Sequence, residues 1–157
     1  MNLNKHVASL AAALALTAAA PAQASGVYIA GHGTSFDQAL GQALKDNSAR
    51  SADAFWIVIA GDQVAQVTRK GASADTRAGL KSALERGAEV YACRSDLTRA
   101  GIRDDELLDG VVAMYGYSER DWAGLLPPKK DGIALPGDMA QSQRILKTCA
   151  GEAKPGA

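Results

Sequence analysis

Ala88-Glu89-Val90-Tyr91-Ala92-Cys93-Arg94-Ser95-Asp96 is the stretch whose reading decides the fold. Ala88–Ala92 reads as a buried strand, and Ser95 and Asp96 read as the opening of a helix. In an open α/β sheet such a junction is the carboxyl end of a strand, where ligands and catalytic groups collect. A thiol placed there lies near the positive end of a helix dipole, which favours the thiolate.

The pattern repeats on both sides of this stretch. Val27–Ala30 is a short apolar run, closed by Gly31-His32-Gly33-Thr34-Ser35. Phe36–Arg50 has helical spacing, with Phe36, Ala39, Leu40, Ala43 and Leu44 on one face and Ser35 or Thr34 as N-cap. Phe55–Ala60 is an unbroken β-branched and aromatic run of the kind covered on both faces in parallel sheets. Asp62–Gly71 stays open between a short helix and a loop edge. Ser73–Arg86 is a second helix, stopped at Gly87. After Cys93 come a short helix Ser95–Ala100, a helical turn Asp104–Leu108 and a strand Val111–Tyr115. Further on, Ser118–Leu126 reads as a short helix stopped by Pro127-Pro128, and Lys129–Gly132 as a polar turn. Ile133–Leu135 reads as a short edge strand, and Asp138–Thr148 as a final helix with Met139, Ile145 and Leu146 apolar. Strands alternating with helices imply a three-layer α/β/α sandwich around a mostly parallel sheet of four or five strands.

Met1–Ala24 has the layout of a secretory signal. Lys5 supplies the charge, Val7–Ala20 the apolar region, and Ala22-Gln23-Ala24 the cleavage site before Ser25. The apolar run is short and Ala-rich for a membrane span. The remainder, 25–157, reads as one exported, periplasmic domain with no span after signal removal, long enough to bury a core without metals. The whole chain carries 17 basic and 17 acidic residues, and removing Lys5 takes the balance to −1. With no basic patch or acidic tail, nucleic acid and membrane surfaces are poor partners.

Gly87-Ala88-Glu89-Val90-Tyr91-Ala92-Cys93, then Leu97, Gly101-Ile102, Leu107-Leu108 and Gly110-Val111, resembles the DsrE/DsrF-like family. The likeness is strongest from about Gly79 to Gly116 and extends more weakly to Val27. It implies a small α/β/α protein whose strand-end cysteine relays sulfane sulfur, in a homo-oligomer and with a thiol- or persulfide-carrying partner protein. It also implies that the second strand lies between the first and third. Trp122, Leu125, Leu126 and Met114 offer apolar surface for such an assembly. This chain departs from the pattern in two ways. Family members with a known relay role work in the cytoplasm, and after the fourth strand they continue with a helix and a last strand. Here there is an export signal, and a Trp/Pro-rich connection leads to a terminal helix bearing Cys149.

Cys93 therefore has two compatible readings. As nucleophile it would take sulfur from a sulfane donor, with Arg94 and Arg99 stabilising the anion. As a structural residue it would form a disulfide with Cys149, since two cysteines in an exported chain usually pair. Cys149 is then either a resolving thiol or the other half of a staple. His32, between two glycines at the end of the first strand, is a candidate acid, base or anion-holding group, or else a surface-loop histidine. Direct contact with Cys93 would span about 9–10 Å, at ~4.8 Å per strand. Two cysteines and His32 lack metal-ligand spacing. Gly31-His32-Gly33 lacks the third glycine of a dinucleotide loop, and no G-x-S-x-G elbow occurs. The pattern thus calls for no cofactor and no metal. Asp104, Asp105, Glu106 and Asp109 read as a solvated face, and Tyr117 and Trp122 as the lining of a pocket or an oligomer contact, or else as cover for the open end of the sheet.

Overall fold

Ser35 starts the first helix with a reciprocal cap. Its Oγ accepts the Gln38 N–H at 3.1 Å, and the Gln38 Oε1 accepts the Ser35 N–H at 2.9 Å. The computed structural model describes residues 26–48, 54–116 and 136–150. The segment Met1–Ala24 read as a signal, Ser25, Tyr117, the expected helix Ser118–Leu126 with Trp122, Pro127-Pro128, the expected turn Lys129–Gly132 and the expected strand Ile133–Leu135 lie outside the described residues.

Four strands stand in chain order in one parallel sheet: β1 Val27–Ala30, β2 Phe55–Ile59, β3 Ala88–Cys93 and β4 Val111–Met114. The helices are α1 Phe36–Asp46, α2 Ala74–Glu85, α3 Arg94–Arg99 and α4 Met139–Ala150. Gly61–Val67 resolves the open segment as a 3-10 helix, and Asp104–Glu106 is a second 3-10 turn in place of the longer helical turn expected there. Val64 and Val67, three residues apart, face the core together, as the 3-10 period requires.

The first helix ends at Asp46 rather than Arg50. The Asn47 side chain turns back and donates to the Ala43 carbonyl at 2.8 Å. Arg86 Nη1 donates to the Leu44 and Asn47 carbonyls at 2.9 and 3.1 Å. These bonds satisfy carbonyls that a longer helix would have used internally.

The alternation along each strand sorts the core into two clusters. Phe55, Ile57 and Ile59 of β2, with Val90 and Ala92 of β3, pack with Phe36, Leu40 and Ala43 of α1, Leu80 and Ala83 of α2, and Leu97 of α3. Trp56 and Val58, with Tyr91, Cys93 and Met114, pack with Ile145, Leu146 and Cys149 of α4. The strand order explains the division. Every crossover steps the same way across the sheet, and right-handed crossovers then put all connecting helices on one face. Among the described residues, α4 is the only helix on the other face. The three layers of the sandwich are therefore unequal. Ile145 and Leu146 are fully buried and contribute roughly 1.5–3 kcal/mol each. Met114 is fully buried on this face, so it adds nothing to an outer surface, contrary to its place in the expected assembly patch.

Candidate functional site

β3 is flanked by β2 and β4, so its carboxyl end opens at the middle of the sheet. Cys93 is the last residue of β3 and is still extended, at φ −65° and ψ 119°. Period-two alternation puts it on the same face as Tyr91, under α4. The following helix opens one residue earlier than the sequence reading placed it. Arg94 is its first residue, and Cys93, not Ser95, takes the capping position without a side-chain cap bond. Ser95 Oγ instead donates to the Cys149 carbonyl at 3.4 Å.

Cys93 and Cys149 form a disulfide across 56 residues of chain, with Cα atoms 4.8 Å apart. Cys93 is 0% exposed and Cys149 2% exposed. The bond joins the central strand to the penultimate residue of α4. Met114 is the register neighbour of Cys93 on β4. Just beyond it, Gly116 meets the end of α4, where a Cβ would overlap the backbone of Cys149 and Ala150. A glycine at a strand exit marks such a close approach; the same signal stood in the sequence unread.

The two arginines proposed to serve the thiol are occupied elsewhere. Arg94 holds Asp104 through both terminal nitrogens, with Nη1 2.6 Å from Oδ1. This bond, ahead of the opposing effect of partial burial, raises its guanidinium above the ordinary arginine value. Its Nε is buried without a hydrogen-bond partner, and its guanidinium carbon lies 5.1 Å from the Tyr115 ring centroid. Tyr115 is 64% exposed, so this arginine and tyrosine form the rim beside the disulfide. Arg99 Nη1 donates to Asp96 Oδ1 at 2.7 Å. Asp96 Oδ2 also accepts the Gly61 N–H at 2.8 Å, which ties α3 to the exit of β2. Asp96 was legible as a helix-opening acid, but not as this link.

His32 lies in an exposed turn at the end of β1, with φ 51°. Gly31 N–H to Thr34 O at 2.8 Å and Thr34 N–H to Gly31 O at 3.0 Å close that turn. β2 stands between β1 and β3, so His32 is two strands from Cys93. The acids read as a solvated face are exposed at Asp104, Asp105 and Asp109, and each pairs there with an arginine: Asp104 with Arg94, Asp105 with Arg103, and Asp109 with Arg69 at 2.7 Å. Among the described residues, no three His, Cys, Asp or Glu side chains are grouped to hold a metal. A cleft of about 460 Å³ lies at the opposite, amino-terminal end of β1, lined by Gly26, Tyr28, Asp46, Asn47, Gln141 and Arg144.

Chemically, the pair Cys93–Cys149 can accept two electrons from thiols. The freed Cys93 would then be a thiolate candidate at a strand end, beside an aromatic and cationic rim. No helix among the described residues is long and apolar enough to cross a membrane. No protein-family model matches the chain, and no curated protein matches it.

Proposed function

We propose that this is an exported, periplasmic protein that handles sulfane sulfur or thiol redox through Cys93, with Cys149 masking it in the resting state. The observation that carries this reading is the disulfide between the end of the central strand and the helix covering that face. Strand carboxyl ends are where α/β sheets place their chemistry. Disulfides persist in oxidising compartments, which fits the signal read at Met1–Ala24. The reaction has two stages. Two external thiols reduce the disulfide and leave as their own disulfide. The Cys93 thiolate then attacks the outer sulfur of a donor such as thiosulfate. A Cys93 persulfide forms, the donor's S–S bond breaks, and sulfite leaves with the electron pair. A thiol-carrying partner protein would collect the sulfur. The resemblance to DsrE/DsrF-like proteins adds a homo-oligomer, which light scattering on the purified chain tests. A monomer at micromolar concentration removes that element alone.

A second reading has an observation in its favour. Both sulfurs are buried, as in a structural staple, and Arg94 and Arg99 are paired away from them. The chain would then be a non-catalytic periplasmic binding or assembly module. The experiment is to reduce the native protein, remove the reductant, add thiosulfate and measure sulfite released per chain. Stoichiometric sulfite supports sulfur handling. No sulfite above the level of a Cys93→Ser chain supports the staple.

A further inference from the structure

We propose that the disulfide opens in one direction: an incoming thiol attacks Cys149, not Cys93, and the last turn of α4 is the element that must move to admit it. The inference deepens the reading of Cys93 as a working thiol and rests on it for its purpose.

Disulfide exchange is a displacement at sulfur. A thiolate approaches along the line of the S–S bond, from behind the sulfur it attacks, and the other sulfur leaves. For Cys93 that rear approach comes from the side away from α4. There stands the sheet, with β3 held between β2 and β4 and with Met114 and Ala60 in the same buried cluster. Reaching Cys93 from behind requires opening the sheet itself.

Cys149 is placed differently. It is the second-last residue of α4, and helix ends fray at low cost compared with central strands. Its contacts with α3 and with the exit of β4 are a hydrogen bond and a backbone approach. The Ser95 Oγ to Cys149 carbonyl bond is long, at 3.4 Å, and Gly116 meets the turn through backbone contact alone. Ile145 and Leu146, one turn earlier, are anchored in the core. The last turn can therefore lift while the rest of α4 stays seated.

The step balances. The attacking thiolate forms a new S–S bond with Cys149 Sγ as the Cys93–Cys149 bond breaks, and the electron pair leaves on Cys93. A second thiol attacks the outer sulfur of the mixed disulfide, releasing the external disulfide and the Cys149 thiolate. Protons from the two external thiols meet the thiolates left on the protein. Cys149 is thus the entry sulfur, and Cys93 the thiolate delivered inside the site by the first step. The incoming group is a thiol on a small molecule or an exposed peptide, because only the edge of one helical turn has to clear.

The test uses the oxidised full chain with glutathione as the probe, acid quenching at early times, alkylation and peptide mapping by mass. The expected early species carries glutathione on Cys149 and the alkyl group on Cys93. A companion variant, Ala150→Gly, loosens the exposed last position of α4 without touching either sulfur. It should speed reduction measurably, by less than the about fivefold that a helix-interior glycine penalty of roughly 1 kcal/mol would give, because Ala150 closes the helix. Glutathione found on Cys93, or shared equally between the two, overturns the proposal. So does reduction at the rate of global unfolding and unchanged by Ala150→Gly. None of these readouts involves sulfane sulfur, so failure here is distinguishable from failure of sulfur handling.

Discussion

Gly116 lies so close to Cys149 that no side chain fits between the exit of β4 and the end of α4. This contact lets α4 settle low enough for its cysteine to reach Cys93. Gly116→Ala should therefore lift the end of the helix. Overpacking of this kind costs about 1–3 kcal/mol. Urea unfolding should show that loss, and glutathione should reduce the disulfide faster. Unchanged stability and reduction rate would mean that the contact does not set the seat of α4.

Reduction of the disulfide should cost stability even where no side chain is lost. The bond closes a loop across 56 residues, worth about 4 kcal/mol in the chain-entropy model. Unfolding in urea with and without excess dithiol measures it, and the amides of α4 should lose exchange protection before those of α1 and α2. Equal protection of all three helices after reduction would contradict the assignment of α4 as the disulfide-held layer.

Asp96 should matter more than its surface neighbours. Its carboxylate accepts from the Gly61 N–H and from Arg99, and its side chain is 12% exposed. Asp96→Ala leaves the Gly61 N–H without its partner and should cost about 1.5–3 kcal/mol. Asp105→Ala, which breaks an ion pair exposed on both sides, should cost under about 1 kcal/mol. Thermal unfolding of the two variants side by side checks the order.

Tyr28 should give the protein an alkaline limit. Burial, chiefly, raises its hydroxyl above the ordinary value of 10.0; the Asn47 hydrogen bond opposes this and the neighbouring Asp46 adds to it. A raised folded value means that the folded state holds its proton longer than the unfolded chain does. That contribution is complete below pH 10 and is lost as pH climbs through the folded value. Stability should fall across that window, and Tyr28→Phe should make the fall shallower. Parallel curves for the two proteins would assign the alkaline loss to other groups.

Much of this architecture was legible in local pattern. Phe55–Ala60 reads as a doubly covered strand because no polar residue interrupts it, and the cap of the first helix reads as Ser35 or Thr34, of which Ser35 takes the role. The unequal layers were not legible. They follow from strand order, which no single segment carries. The first helix was read four residues too long, because the side chain of Asn47 competes with the helix and Arg86 caps it from 39 residues away. At the site, Cys93 was legible from its strand-end place, and its pairing with Cys149 stood as one of two readings. The capture of Arg94 by Asp104 depends on how the chain folds back between α3 and β4, so proximity in sequence did not reveal that partner.

The central claim is that Cys93 is the sulfur-accepting thiol. The most direct measurement is peptide-level mass of the reduced protein after thiosulfate, over a range of pH, with Cys93→Ser and Cys149→Ser beside it. Cys149 ends a helix, where the dipole's negative end disfavours a thiolate, whereas Cys93 precedes one. The account predicts one added sulfur on Cys93, at lower pH than any reaction of Cys149, lost in Cys93→Ser and kept or increased in Cys149→Ser. Sulfur on neither cysteine, or on Cys149 alone, would contradict it.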